Sequence, residues 1–200
     1  MKKTTVSSIG AIIGLLLMVA LPAWADFDAG ERAYLAEDFE TAFREWSPLA
    51  AQGHDEAQNM LGFMYRWGQG VEQDFAKARE WYQRSANQGN ARAQNNLGLV
   101  YRYGLGISKD YEKAFYWFLR AAEQGNAAGQ NHLGLMYFRG EGVARDYVQS
   151  YKWAWLAANQ GLDAALQALP MLEAVMTPAQ IEEAKRLARE WKPKGSEEVL

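Results

Sequence analysis

Ala57-Gln58-Asn59-Met60-Leu61-Gly62-Phe63-Met64-Tyr65 returns 36 residues later as Ala93-Gln94-Asn95-Asn96-Leu97-Gly98-Leu99-Val100-Tyr101, and again as Gly129-Gln130-Asn131-His132-Leu133-Gly134-Leu135-Met136-Tyr137. Self-similarity at a fixed period between about 20 and 50 residues is the signature of a stacked array of small structural units. Ala57, Leu61, Met64 and Tyr65 stand at helical spacing, so the stretch reads as an amphipathic helix. Gly62, Gly98 and Gly134 fall in its middle, where glycine costs about 1 kcal/mol relative to alanine. Repeating that cost in every copy predicts a neighbouring helix too close for a side chain.

Downstream of each copy the chain turns and a second helix follows. The turns are Gly68-Gln69-Gly70, Gly104-Leu105-Gly106 and Gly140-Glu141-Gly142. Glycine just past a helix takes the left-handed conformation that caps free carbonyls. A phosphate-binding loop is excluded, because the preceding strand, the third glycine and the Lys-Ser/Thr pair are missing. Asp74, Asp110 and Asp146 are placed as N-caps of the second helix, each worth about 1 kcal/mol. Along that helix Trp81, Trp117 and Trp153 form one column and Tyr82, Phe118 and Ala154 the next. Aromatics at helical spacing predict core. Gly53, Gly89, Gly125 and Gly161 then lead into the next unit.

The flanks depart from the period, as terminal units do. Residues 26–53 form a shorter helical hairpin, with Asp38, Ala42 and Gln52-Gly53 still in register. Residues 54–161 hold three full repeats, and residues 162–200 hold a degenerate repeat and a C-terminal capping helix. Pro170 is expected to break or kink the first helix of that last unit. Thr177-Pro178-Ala179-Gln180 carries the N-cap, first-turn proline and capping-box signals of a final helix. Ile181, Ala184, Leu187, Ala188 and Trp191 give that helix its apolar face, and it stops before Pro193, with the tail from Lys194 expected to fray.

The first 25 residues read as an address. Lys2 and Lys3 precede an apolar run from about Ile9 to Leu21, then Pro22 and Ala23-Trp24-Ala25. These are the three regions of a secretory signal peptide, cleaved after Ala25. The run is short of the roughly 20 residues that span a bilayer. The expected location is therefore periplasmic or secreted, with no membrane insertion after cleavage. The full chain has 21 basic and 24 acidic residues; without the two signal lysines the balance is 19 to 24, a net charge of −5. That balance gives no electrostatic reason to bind nucleic acid. The chain has no cysteine, so packing alone holds it, and thiolate catalysis, thiolate metal sites and lipid attachment at a cysteine are excluded.

The pattern Ala-Xaa-Xaa-Xaa-Leu-Gly-Xaa-Xaa-Tyr, Gly-Xaa-Gly, Asp, Ala-Xaa-Xaa-Trp and Gln-Gly at a spacing of 36 residues resembles the Sel1-like repeat, a relative of the tetratricopeptide repeat. The resemblance implies an all-α fold: a right-handed α-solenoid of antiparallel helix pairs closed by the capping helix. It also implies a protein-binding or scaffolding module, here of the bacterial cell envelope, acting through the concave face lined by the first helices. A β-lactam-binding or hydrolase activity, and a structural role touching peptidoglycan or other glycans, are the alternatives. Family members linked to β-lactams have disulfide-bonded repeats, which this cysteine-free chain cannot form.

No catalytic motif is found. His54 and His132 occupy different places in their repeats, the first expected to be solvated and the second hydrogen-bonded, with no ligand set or nucleophile–base pair to join. No enzyme activity, cofactor or metal is expected. The candidate partner-binding residues are the column Asn59, Asn95 and Asn131, and Arg66 and Arg102 with their neighbours Trp67 and Tyr103. Asparagine can pair with a peptide backbone. Arginine beside an aromatic ring suits a carboxylate next to an apolar side chain. The asparagines are equally well read as internal braces of the repeat. The expected partner is an envelope protein or peptide, bound by a monomer.

Overall fold

The structure is a computed structural model that describes residues 26–194, so the segment expected to be a signal peptide lies outside the described residues. Ten helices and no strands occur among them. A hairpin of α1 (Phe27–Leu35) and α2 (Phe39–Ala51) precedes three pairs: α3 (Asp55–Trp67) with α4 (Phe75–Asn87), α5 (Ala91–Tyr103) with α6 (Tyr111–Glu123), and α7 (Ala127–Arg139) with α8 (Tyr147–Asn159). Then come α9 (Asp163–Glu173) and α10 (Pro178–Glu190). From α1 to α9 each helix packs on the next, α10 packs back on α8, and α5 also touches α7. This is the all-α solenoid that the period implied.

The helix boundaries follow from caps. Asp38, Asp74, Asp110 and Asp146 each accept backbone amides at the start of a second helix. Gly68, Gly104 and Gly140 close the first helices in the left-handed conformation. The second glycine of each turn does something the sequence did not reveal. A side chain on Gly70 or Gly142 would run into the backbone of Phe39 or Tyr111, where the preceding unit's second helix begins. These turns are therefore docking points between units as well as caps. The first helices have caps of their own: His54 Nδ1 accepts from Ala57 N at 3.2 Å, Asn90 from Ala93 at 2.9 Å and Asn126 from Gly129 at 2.8 Å. In α9 the fourth position of this series is Leu162, which makes no such bond.

The mid-helix glycines sit where the expectation placed them. A Cβ on Gly62 would lie 2.6 Å from the Tyr82 ring, and one on Gly98 2.6 Å from the Phe118 ring. Gly30 stands likewise against Trp46, although its loop is shorter. The ring under the glycine thus runs Trp46, Tyr82, Phe118 and then Ala154, where the aromatic is lost. All four are buried. Between units, Gln58, Gln94 and Gln130 are buried and donate to the carbonyls of Ala50, Ala86 and Ala122. Each also accepts from the glutamine that ends its own repeat, Gln88, Gln124 or Gln160, at 2.7–2.8 Å.

Two expectations at the C-terminal end are corrected. Pro170 does not break its helix, because α9 runs through it to Glu173. The proline removes an amide partner from the carbonyl of Leu166, a residue 49 % exposed, where water can replace it. Lys194, where fraying was expected to begin, is held in place, while the rest of the tail, residues 195–200, lies outside the described residues. The Lys194 backbone amide donates to Glu123 O at 2.8 Å and its ammonium pairs with the Glu123 carboxylate. The capping box at Thr177 and Gln180 forms as expected. The helix it starts, α10, packs across α8, with Trp191 edge-on to Trp153. α9 has no second helix packed along it in the way α4 packs on α3, and Leu166 and Met171 on it, with Val175 just past its end, are exposed.

Candidate functional site

The seven candidate residues all lie on the first helices of the repeats, and the structure divides them into two groups. Asn59 and Asn95 are buried. The Asn59 side-chain oxygen accepts from Asn96 Nδ2 at 3.0 Å, and the Asn95 oxygen meets His132 Nδ1 at 2.8 Å. Each asparagine is thus joined to the residue 37 positions later, on the first helix of the next unit. This is bracing across the repeat boundary rather than within a repeat. Asn131 is only half-buried, and its would-be partner is Ala168, which has nothing to offer. Its carboxamide has no hydrogen-bond partner among the described residues.

Arg102 belongs with the braced group. It is 4 % exposed and its Nε donates to Glu141 Oε2 at 3.0 Å, across to the turn of the next repeat. One terminal nitrogen, Nη1, is buried without a partner. Arg66 occupies the same repeat position one unit earlier, but Leu105 stands where Glu141 would be. Arg66 is half-buried, has no carboxylate partner among the described residues, and lies over the Trp67 ring at 4.9 Å. It is close enough to the buried Tyr82 hydroxyl to oppose the rise in pKa that burial imposes there. That hydroxyl makes no hydrogen bond. Trp67 and Tyr103 are 55 % and 52 % exposed, each with the preceding guanidinium against its ring.

His132 lies within electrostatic reach of both arginines. Burial first, then the positive charges of Arg102 and Arg66, push its pKa down to about 4. It is therefore neutral at pH 7, and the hydrogen on Nδ1 faces the Asn95 oxygen. His54 is exposed, as expected, and it also caps α3 and stacks on Phe27 at 5.0 Å. Neither histidine is hydrogen-bonded to a hydroxyl nucleophile, and no group of three metal-ligating side chains gathers among the described residues. No described helix is long and apolar enough to cross a membrane.

Depressions on the surface of the described residues include two of note. One lies along α4 and is walled mostly by polar, largely exposed side chains of that single helix, such as Lys77, Glu80 and Arg84. The other, about 300 Å³, opens between α7, α8 and α9 and has an apolar floor. Sequence reasoning missed it. Its signal was present all the same: the small residues Ala154 and Ala168 stand where earlier repeats carry a ring and a polar side chain.

The model of the Sel1 repeat matches the chain three times in succession, at residues 55–90, 91–126 and 127–162. Those matches span more than half of the chain. Among solved structures, a Sel1 repeat protein from Oxalobacter formigenes superposes with a TM-score of 0.68 at 35 % identity, over 73 % of this chain and 60 % of that one. A protective antigen present in uropathogenic Escherichia coli strains, described as displaying an SLR fold, superposes with a TM-score of 0.51 at 27 % identity, over 82 % of this chain and 44 % of that one. The chain thus spans less than two thirds of the length of either. No curated protein matches in sequence.

Proposed function

We propose that this chain, which belongs to the Sel1 repeat family, is an exported module of the bacterial cell envelope that holds a protein segment along the face of its first helices. Sel1 repeats are protein-interaction scaffolds, and the coarse role follows from membership. The finer reading rests on one observation: Trp67 and Tyr103 stand in register on successive first helices, each more than half exposed with a guanidinium against its ring. Tryptophan, tyrosine and arginine are the residues that dominate protein interfaces. Solenoid curvature turns the first helices into a continuous inner surface on which a segment can lie. Arg66, lacking the acid that neutralises Arg102, supplies a charge for a carboxylate on the partner. The Escherichia coli relative is a protective antigen, which supports an exported location.

The test is site-specific cross-linking in cells that export the protein. A photo-reactive residue replaces Trp67, Tyr103 or, as a control on a second helix, Glu80. One envelope protein cross-linked from the first two positions and not from the third is expected, and Arg66→Gln should weaken that capture. Equal labelling from Glu80 would place binding elsewhere.

A further inference from the structure

We infer that the cavity between α7, α8 and α9 is a receptor for one large apolar side chain, of leucine, methionine or phenylalanine size, from an extended acidic segment of a protein partner. The inference rests on the reading that the first-helix face takes a protein segment, and it fixes where that segment is anchored.

Two regularities of the array end at the same place. In the first three units a ring fills the space beneath the mid-helix glycine: Trp46 under Gly30, Tyr82 under Gly62, Phe118 under Gly98. Ala154 holds the ring position opposite Gly134. There the α8 backbone closes in instead, with Ser150 O and Ala154 N at 3.0 and 3.3 Å from where a Cβ would lie. Gly134 and Ala154 both line the cavity beside this contact. The bond that ties each first helix to the next is also lost there. Asn59 reaches Asn96 and Asn95 reaches His132, while Asn131 faces the position of Ala168, and both of these also line the cavity. With no ring at Ala154, an apolar hollow of about 300 Å³ lies alongside, with Leu135, Phe138 and Leu172 around it. The missing partner leaves a carboxamide on its wall with a free donor and a free acceptor.

That pairing selects the occupant. An apolar side chain fills the hollow, and the peptide group beside it satisfies both halves of the Asn131 carboxamide. A small hydrocarbon would leave Asn131 unpaired, and a polar ligand would leave the floor unfilled. The charged side chain at the rim is Arg139. Among the described residues its only acid is Glu141 at 3.5 Å, a carboxylate that Arg102 already holds at 3.0 Å. The rim therefore favours an acidic neighbour on the bound segment. Met171, 66 % exposed, stands at the mouth, where an unbranched thioether can adapt to different side chains.

The array itself supplies the test variants. Ala154→Phe restores the ring of the preceding repeat, and Ala168→Asn restores the partner of the asparagine. Neither position belongs to the Arg66–Trp67–Tyr103 surface. The probes are blocked hexapeptides of sequence Gly-Glu-Xaa-Glu-Ser-Gly, with leucine, phenylalanine or alanine at Xaa, titrated against isotope-labelled protein. The expected result is movement of the Asn131 side-chain amide and Met171 methyl signals with the leucine and phenylalanine probes. Affinity should be at least tenfold weaker for the alanine probe and for each variant. Equal binding of all three probes, or full affinity in a folded Ala154→Phe protein, overturns the inference. So does concentration-dependent dimerisation that Ala154→Phe abolishes, which would make the occupant a second copy of this chain. In the cross-linking experiment, an Ala154→Phe protein that still captures its partner through Trp67 refutes the anchor and leaves the wider reading standing. Loss of the Trp67 and Tyr103 adducts from the wild-type chain refutes that reading instead.

Discussion

Replacing Glu141 by leucine strands the Arg102 guanidinium inside the protein. The side chain of Arg102 is 3 % exposed and that of Glu141 20 %, with 3.0 Å between Nε and Oε2. Breaking a buried pair by removing one partner costs about 3–5 kcal/mol, because the remaining charge is uncompensated. Glu141 keeps some contact with water, so the low end, about 3 kcal/mol, is expected. For a chain of this size each kcal/mol moves the melting temperature by about 2–4 °C, so the fall should be about 6–12 °C. Hydrogen exchange should locate the loss at the boundary between α5 and the turn after α7, since solenoids respond through nearest neighbours. The chain supplies its own control. Phe138 and Leu105 occupy these two positions in the adjacent repeats, so the double variant Arg102→Phe, Glu141→Leu trades the pair for residues the array already accommodates. Exchanging a buried pair for apolar side chains is often near neutral, and the double variant should recover to within about 1 kcal/mol of wild type. A single Glu141→Leu change costing under about 1 kcal/mol, or a double variant as damaged as the single, would refute the structural assignment of Arg102. Its charge would then again be free to serve a ligand.

His132 should titrate near pH 4 rather than 6.5, as read from its ring resonances. The unfolded chain takes up that proton first, so stability present above pH 6.5 is lost as the pH falls towards 4, by about 1.4 kcal/mol per unit and about 3 kcal/mol in all. His132→Gln should remove that slope from denaturant titrations. Gln94→Met should cost about 1–2 kcal/mol in urea unfolding, because it keeps the volume but removes the buried bond to Ala86 O and the bond from Gln124; no measurable loss would show that the glutamine ladder is incidental. Gly98→Ala should destabilise by about 1–2 kcal/mol despite the better helix propensity of alanine, since its Cβ meets the Phe118 ring, and Phe118→Leu in the same chain should relieve part of that loss. The mature protein recovered from cells should begin at Asp26, and an N-terminal sequence starting at Met1 would remove the export argument.

The period, the caps and the close-approach glycines were legible because each rests on backbone rules that act within a few residues. Asp74 followed by a helical stripe, or Gly68 after one, has few other physical meanings. The bonds between units were not legible in the same way. Asn59 and Asn95 look like a solvent-facing column, since they sit off the apolar stripe of their own helix. Whether such a residue faces water or the next helix depends on how far each unit rotates against its neighbour, and no single repeat encodes that angle. Position-by-position comparison recovers part of it. The asparagine and the residue 37 positions later are both polar in two pairs, Asn59 with Asn96 and Asn95 with His132. A single aligned column does not show this, because the two members fall in adjacent columns.

The same comparison explains why the apolar cavity escaped notice. Search for a site in a sequence favours residues that carry chemistry, and this cavity is made by residues that carry none. Ala154 and Ala168 become informative only as departures from the rings and polar groups that earlier units place at those positions. In a repeat array every unit states what a filled position contains, so an alanine marks missing volume as well as a small side chain. Ala154 lies beside α9 and Ala168 within it, the helix without a side-chain cap, with Pro170 inside it and with Leu166 and Met171 exposed. The cap and the ring that stabilise the earlier units are both missing at the C-terminal boundary of the array. That is where a binding hollow can form without disturbing the register of the units before it.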